Sequence, residues 1–405
     1  MVTQCRLARF TVLACLLTGL GFSPNGLTSE PLAAPRLPPR PERTAEERQA
    51  LAAELRRVYS GDPATWPAPH VDPGVEWREI GLLPEATHPA DNPHTEAKEQ
   101  LGRTLFFDPR LSGSGQLACA SCHDPDLGWA DGRTTSFGHS RKQLARNAPS
   151  VRNTVFQKRL FWDGRADSLE DQARQVLLNP DEMRSGPDLV MALLAGEPGY
   201  KALWHDAFGA EPTSIEKAAE ALACFERTVV GGSSRFDSFL RGNPAALTDE
   251  ALLGMDLFRR EARCINCHHG PAFSDGGFHD IGLSNYGRPF EDIGRGRVTN
   301  GPADTGKFRT PSLRDATATL PLMHNGLFEL QVALTLYNAG MPTPQRKESQ
   351  ADDPRFPVKS PLLKPLGLNK QDLADLTAFL TSLEEPKRRV RPPEIPGLHP
   401  APQGR

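Results

Sequence analysis

The segment "CASCH" at residues 119–123 is matched later in the chain by "CINCH" at residues 264–268. In a C-x-x-C-H segment, two thiols can form thioethers with the vinyl groups of a haem, and the adjacent histidine lies under the iron as its proximal ligand. A zinc ribbon is the main alternative, but its cysteine pairs lie only about 15 to 20 residues apart, much closer than these two. We therefore predict two covalently attached haem c groups. The attachment and ligand residues are Cys119, Cys122 and His123 for the first, and Cys264, Cys267 and His268 for the second.

The sequence before each motif indicates that one helical unit occurs twice. Each motif follows a predicted helix with the pattern L-G-x-x-L-F, at residues 101–106 and 253–258. Helical periodicity dominates from about residue 90 onward, and no sustained alternation typical of strands is seen. The 35 glycines and 38 prolines exceed the usual share and indicate long irregular connections. The predicted fold is mainly α, with two cytochrome c-like haem domains and long irregular loops.

The net charge of the chain argues against two classes of binding partner. The 405 residues carry a formal net charge of -3, which gives no electrostatic reason to expect nucleic acid or an anionic membrane as a partner.

A proline-rich stretch contains one predicted helix, which Thr44 and Glu47 would cap. The predicted segments are a signal peptide (1–23), this proline-rich lead-in (24–88), an N-terminal haem c domain (89–235), a C-terminal haem c domain (236–386) and a flexible tail (387–405).

The N-terminus has the pattern of an export signal. Arg6 and Arg9 precede an apolar run at residues 10–22 that is too short to span a bilayer. Export agrees with the haem motifs, because covalent haem c requires export of the reduced apoprotein. We therefore predict a periplasmic protein with no membrane span once the signal is removed.

Several longer segments are similar to one protein family. The chain resembles the dihaem bacterial cytochrome c peroxidase and MauG superfamily over about residues 75–385. The resemblance implies that hydrogen peroxide is cleaved at the N-terminal haem, while the C-terminal haem relays electrons or shares oxidising equivalents. The segments that carry it are "LGRTLFFDPRLSGSGQLACASCHDPDLGWADGR" (101–133), "RNAPSVRN" (146–153), "FWDGRADSLEDQA" (161–173), "NPDEM" (179–183) and "GKFRTPSLRDATATLPLMHNG" (306–326).

Two polar residues are candidates for the distal side of the first haem. Peroxide cleavage needs a vacant iron position and an acid-base group beside it. Glu182, in "NPDEM", matches the distal glutamate of the family. Gln172 falls within the apolar stripe of a predicted helix, where a buried amide needs a partner, and the family has a distal glutamine at this place.

Other candidate residues follow from the resemblance. Trp162 matches the tryptophan between the haems, whose ring can assist electron or hole transfer. His139 matches a histidine that caps the peroxidatic iron in resting conventional members and swings away on activation. An exposed loop histidine is the alternative, since many relatives do not use such a cap. Asn147, Thr319 and Pro321 match positions whose oxygen atoms hold an inter-domain calcium in relatives.

The sixth ligand of the second haem separates two branches of the family. Conventional peroxidases use a methionine and MauG-type proteins a tyrosine after "HNG", and this chain offers Tyr337 and Met341. Tyr337 lies on the apolar face of a predicted helix near the expected position, whereas Met341 follows Gly340, where that helix should end. We favour Tyr337. A phenolate favours ferric and higher-valent iron, so this choice indicates the MauG/MbnH-like branch.

The predicted function is that of an exported dihaem oxidoreductase that reacts with hydrogen peroxide and exchanges oxidising equivalents between its haems. The reductant would be tryptophan on a partner protein, as in the MauG-like branch. The alternative is a small redox protein, a c-type cytochrome or a cupredoxin, which His139 favours. A dihaem electron carrier without enzymatic activity is a second alternative. Gln172 and Glu182 argue against the carrier, because it would present an iron ligand in their place.

Overall fold

The computed structural model describes residues 37–398. The predicted signal peptide, residues 24–36 of the lead-in and residues 399–405 of the tail lie outside the described residues. The prediction of a mainly α fold is confirmed. The helices are α1 (Ala45–Tyr59), α2 (Glu96–Phe107), α3 (Leu169–Leu178), α4 (Pro187–Gly196), α5 (Pro198–Phe208), α6 (Ile215–Glu226), α7 (Arg235–Leu240), α8 (Asp249–Arg259), α9 (Gly296–Thr299), α10 (Leu330–Asn338) and α11 (Lys370–Thr381), and the strands are β1 (Phe278–Asp280) and β2 (Lys307–Arg309).

Helices α2 and α6 form the centre of the first half. Gly102 in α2 allows the two backbones to touch, because a Cβ added there would lie 1.8 Å from the carbonyl oxygen of Ala221 and 3.0 Å from the Cβ of Phe225. Leu101 and Leu105 of the L-G-x-x-L-F pattern lie one helical turn apart on the same face of α2, and both are fully buried, as is Phe106. This helix pair therefore holds one hydrophobic core, which extends over α4 and α5.

Helices α8 and α11 repeat this arrangement in the second half. A Cβ added at Gly254 would lie 2.0 Å from the carbonyl oxygen of Asp375 and 2.9 Å from the Cβ of Phe379. In each half, the glycine faces a main-chain carbonyl and a phenylalanine that follows it by one helical turn. The repeated sequence pattern thus corresponds to a repeated helix pair, whose first helix (α2 or α8) precedes a C-x-x-C-H motif and whose second helix (α6 or α11) follows it in the chain.

The proline-rich lead-in packs onto the second core. Helix α1 begins with the predicted capping box, in which Thr44 and Glu47 each accept a hydrogen bond from the backbone of the other. At its end, the Tyr59 hydroxyl donates to Asp256 at 2.6 Å and accepts from the buried Arg259 at 2.9 Å. Arg259 also donates to Glu79 at 3.0 Å, so the charged group is fully satisfied within the core.

Hydrogen bonds join the two halves at the short antiparallel strands, and the end of the chain also contacts the first half. Phe278 of β1 pairs with Arg309 of β2, and the Arg309 N–H donates to the carbonyl of Trp162 in the first half at 2.8 Å. Arg103 and Arg110 donate to main-chain carbonyls of residues 391 and 396 at 2.8 and 2.6 Å, so this part of the predicted tail lies against the first half. Among the described residues, no helix is long and apolar enough to cross a membrane.

Candidate active site

The first C-x-x-C-H motif lies on a short 3₁₀ turn, Cys119–Ser121, at the wall of a cavity of about 660 Å³. Both cysteines of the motif and His123 line that cavity. The His123 Nδ1 lies 3.2 Å from the carbonyl oxygen of Trp129, and burial lowers the pKa of the imidazole. A neutral ring that donates from Nδ1 keeps its lone pair on Nε2, which is the form that binds iron.

The second motif repeats this chemistry on the turn Cys264–Asn266. Cys264, Cys267 and His268 line a second cavity. The His268 Nδ1 lies 3.0 Å from the carbonyl oxygen of Phe273, and burial lowers the pKa of this imidazole as well. Burial also raises the pKa of the Cys264 thiol to about 12. Each motif therefore combines two thiols, an oriented neutral histidine and a cavity, which fits covalent haem c.

The predicted distal residues meet at the first cavity. Gln172 in α3 and Glu182 both line the cavity that His123 lines. Burial raises the pKa of the Glu182 carboxyl, and the charge of Arg165 partly opposes this shift. Arg165, which we did not predict, lines the same cavity and pairs with Asp163 at 3.1 Å. A carboxyl group, an amide and a cation thus line one cavity.

His139 lies beside this group but does not line the first cavity. Its N–H donates to the carbonyl oxygens of Asp181 and Glu182 at 3.0 and 2.8 Å. Among the described residues, its buried Nδ1 has no hydrogen-bond partner. The next residues, Ser140 and Arg141, have left-handed φ values of 54° and 60°. The backbone of this loop is therefore fastened to the segment that carries Glu182, whereas the imidazole Nδ1 has no partner.

Trp162 lies where the two cavities adjoin. Its side chain is 8% exposed and lines both cavities. The indole N–H donates to the carbonyl of Asn147 at 2.9 Å. The ring centroid lies 6.4 Å from that of His324, which stacks on Phe308 with centroids 3.6 Å apart. An aromatic group therefore fills the space between the two haem motifs.

Tyr337 and Met341 differ in their relation to the second cavity. Tyr337, in α10, lines this cavity together with His268, and burial raises the pKa of its phenol. Met341 is buried but does not line the cavity. It follows Gly340, whose φ of 85° ends the helix. Of the two predicted ligands, Tyr337 is thus the one that lines the same cavity as the second haem motif.

Comparison with known proteins identifies the family. A profile described as "Di-haem cytochrome c peroxidase" matches residues 96–245. The chain is 40% identical over 314 residues to the methylamine utilization protein MauG of Methylorubrum extorquens, covering 76% of this chain and 84% of the relative. The chain belongs to the di-haem cytochrome c peroxidase family.

Two further family members support this assignment. The chain is 34% identical over 322 residues to the cytochrome c551 peroxidase of Pseudomonas aeruginosa, covering 78% of this chain and 86% of the relative. It matches the crystal structure of a MauG-like protein associated with microbial copper homeostasis with a TM-score of 0.68 and 34% identity, covering 76% of this chain and 95% of that one. The predicted fold class, haem c cofactors and enzyme class, a haem-dependent peroxidase-type oxidoreductase, are therefore confirmed.

The residues matched to the calcium site of the family lie on the wall of the same cavity. Asn147, Thr319 and Pro321 all line the second cavity. The Asn147 amide donates to the carbonyl of Arg133 at 2.8 Å, and the Thr319 hydroxyl donates to the carbonyl of Asp315 at 3.1 Å. Within residues 37–398, no donor reaches Asn147 Oδ1 or the carbonyl oxygens of Thr319 and Pro321. Such uncommitted oxygen atoms are the kind that a hard cation takes.

A further group of potential metal ligands adjoins the second motif. The ligand atoms of Cys267, Asp275 and His279 lie within 4.8 Å of one another. His279 Nε2 lies 2.8 Å from an Asp275 carboxylate oxygen. Because Cys267 belongs to a haem-attachment motif, its sulfur is used in a thioether in this family. The group therefore lies at the second haem-attachment motif.

Two charged residues of the site were not predicted from the sequence. Glu226, at the end of α6, is 7% exposed and lines the first cavity, and burial raises the pKa of its carboxyl to about 8. Arg309, in β2, is 4% exposed and lines both cavities. The only local signal for either residue is a charge within an otherwise buried segment. Neither segment shows by itself that the charge faces a cavity.

Proposed function

We propose that this family member is of the MauG type. It reacts with hydrogen peroxide at the first haem, holds oxidising equivalents on both haems and transfers them to tryptophan on a partner protein. The observation that carries this proposal is the position of Tyr337 on the wall of the second cavity, from which Met341 is absent. Tyr337 would hold the second iron as its sixth ligand. A phenolate stabilises ferric and higher oxidation states, which suits storage of oxidising equivalents.

Glu182 is proposed as the acid-base group of the first site. When bound, haem c supplies the redox-active iron at which peroxide reacts. Glu182 would take the proton from the inner peroxide oxygen and deliver it to the outer oxygen, which then leaves as water. Burial raises the carboxyl pKa and so brings proton exchange closer to neutral pH. Gln172 would donate an amide N–H toward the same oxygen atoms and orient them.

Trp162 is proposed to carry electrons or holes between the two sites. The ring lines both cavities and is held by its hydrogen bond to the Asn147 carbonyl. His324 and Phe308 extend the aromatic contact on the side of the second cavity. A fixed ring between the sites shortens the distance that an electron must cross in one step.

A conventional cytochrome c peroxidase, supplied with electrons by a small c-type cytochrome or cupredoxin, is the second candidate function. His139 favours it, because its buried Nδ1 has no partner and its loop lies on the segment that carries Glu182. In that function, His139 would cap the first iron in the resting enzyme. The hydrogen bonds from its backbone to residues 181 and 182 would then be exchanged when the loop moves.

The organisation of the whole protein is part of the same proposal. Residues 89–235 and 236–386 would be the two haem domains. Each has its own C-x-x-C-H motif and its own helix pair with a glycine at the contact. Asn147, Thr319 and Pro321 would provide oxygen ligands for calcium. The protein would act in the periplasm after removal of an N-terminal signal, since the apoprotein must be exported before haem c is attached.

Peroxide consumption by the haem-loaded protein tests the catalytic part of the proposal. Glu182→Gln should lower the rate of peroxide consumption by about 10²- to 10⁴-fold, because the amide cannot transfer a proton. Glu216→Gln is a matched control, since Glu216 is an exposed residue of α6 outside both cavities. Haem content is measured in each variant. A Glu182→Gln protein with full haem content and the rate of the control would refute the assigned role.

A further inference from the structure

Residues 70–81 of the lead-in form a clamp segment on the second C-x-x-C-H motif. Asn266, which lies between the two cysteines of that motif, contacts this segment through both ends of its side-chain amide. It accepts a hydrogen bond from the Asp72 main-chain N–H at 2.7 Å and donates to the His70 carbonyl at 3.1 Å. The turn that carries the cysteines is therefore tied to the backbone of a segment that lies almost 200 residues earlier in the chain.

The clamp segment also contacts the chain just after the motif. The Gly270 N–H donates to the carbonyl of Arg78 at 2.9 Å. The buried Arg314 donates to the carbonyls of Gly81 and Pro271, at 2.8 and 2.7 Å. The segment is thus fastened on both sides of the histidine that would bind the second iron.

An ion pair fixes the residue that starts the second attachment turn. Arg263 directly precedes the first cysteine and has a left-handed φ of 58°, which is uncommon for a residue with a side chain. Its guanidinium pairs with the Asp72 carboxylate, which also accepts from the Lys364 ammonium at 3.1 Å. The hydrogen bond from Arg263 lowers the pKa of the Asp72 carboxyl. In the first motif the corresponding residue, Ala118, has an ordinary φ of -104°.

The two attachment turns differ in their exposure to solvent. Between the cysteines of the second motif, Ile265 is 0% and Asn266 is 3% exposed. At the same two positions of the first motif, Ala120 is half-buried and Ser121 is exposed. Among the described residues, the hydrogen bonds of Ser121 reach only Ala118. Within one chain, the same motif is therefore covered in the second half and open in the first.

We propose that the clamp segment shields the second haem from small reductants in solution. The haem would be bonded to Cys264 and Cys267, so a segment that covers the turn between them also covers this edge of the haem. A reductant in solution must approach a haem closely in order to donate an electron. The inference rests on the proposed storage of oxidising equivalents, which such a donor would consume. Asp72 is a positioning residue in this account, because it acts on the turn through Arg263 and Asn266.

Amide hydrogen exchange of the haem-loaded protein tests the clamp without turnover. In Asp72→Ala, the ion pair with Arg263 is lost, and amides of residues 264–270 should exchange about tenfold faster. Asn266→Ala removes both side-chain hydrogen bonds to the segment and should give the same result. Glu76→Ala is the matched control, since Glu76 is an exposed acid of the same segment and has no hydrogen bond or ion pair among the described residues.

Quenching by hydroquinone tests the shield. Hydroquinone is small and uncharged at neutral pH, so its approach does not depend on the charge that the Asp72 variant changes. After addition of hydrogen peroxide, the oxidised protein should return to its resting spectrum about tenfold faster in Asp72→Ala and Asn266→Ala than in the wild type and Glu76→Ala. Haem content and the rate of peroxide consumption should remain at the wild-type level.

The outcomes separate this inference from the proposed function. Wild-type exchange rates in both Asp72→Ala and Asn266→Ala would overturn the clamp. Faster exchange with unchanged quenching would overturn the shield. A wild-type protein that holds no oxidised state after peroxide would refute the storage function and the shield with it, whereas the exchange rates would still decide whether the clamp fixes the turn.

Discussion

The indole N–H of Trp162 donates to the main-chain carbonyl of Asn147 at 2.9 Å. The Asn147 N–H in turn donates to the carbonyl of His324 at 2.8 Å. These two bonds connect the bridging indole of the first half to the segment "HNG" of the second half. The ring is consequently held between the cavities by main-chain groups that do not depend on side-chain rotamers.

Replacement of Trp162 by phenylalanine should slow exchange between the haems. The variant keeps an aromatic ring but loses both the larger π-system and the hydrogen bond to Asn147. We expect peroxide to react at the first haem at a rate near that of the wild type, while oxidation of the second haem slows by about tenfold or more, a barrier increase of about 1.4 kcal/mol. Rapid-mixing absorption spectroscopy separates the two steps. Equal rates for the second step in both proteins would contradict the bridging role.

Gly102→Ala should destabilise the hydrophobic core around α2 and α6. The added Cβ would approach the Ala221 carbonyl to 1.8 Å, and neither backbone can yield without separating the helices. The expected loss is about 1 to 3 kcal/mol of unfolding free energy, the usual cost of overpacking, or more. Gly196→Ala is the control, because no atom of residues 37–398 lies within 4 Å of a Cβ at that position. Urea denaturation of both variants checks this expectation, and similar stabilities would contradict the close helix contact.

Glu226 should make stability depend on pH. Its carboxyl pKa is about 8 in the folded protein and 4.5 in its ordinary state. The folded state therefore binds more protons than the unfolded state within this window, and stability should fall as pH rises through it. The slope for one such group approaches about 1.4 kcal/mol per pH unit. Glu226→Gln should flatten the slope in denaturation experiments, whereas Glu216→Gln should not. An unchanged slope in Glu226→Gln would contradict the buried protonated state.

Much of this architecture could be predicted from local sequence. The C-x-x-C-H motifs define both attachment sites by residue type and spacing alone, and the L-G-x-x-L-F helices were predicted from their periodicity. Family resemblance led to Gln172, Glu182 and Trp162, which line the first cavity. Their roles remain predictions.

The features that local sequence does not predict depend on contacts between segments that are distant in the chain. Whether the charge of Arg309 is paired depends on how β2 meets the first half, and no local pattern records that contact. The burial of Glu226 depends likewise on the packing of α6 beside the first motif. The lead-in had the composition of an extended segment, yet Tyr59 reaches the buried Arg259 of α8. Such long-range pairings are set by tertiary packing, which local periodicity does not report.

We propose that Tyr337 holds the second iron, and this ligand would make the protein a MauG-type enzyme. Electron paramagnetic resonance of the ferric haem-loaded protein, with and without peroxide, tests this assignment. The wild type should show one high-spin and one low-spin haem, and peroxide should silence both signals. Tyr337→Phe should alter the low-spin signal, whereas Met341→Leu should leave it unchanged. A spectrum unaffected by Tyr337→Phe but altered by Met341→Leu, in a protein that must be reduced before it reacts, would contradict the claim and indicate a conventional peroxidase.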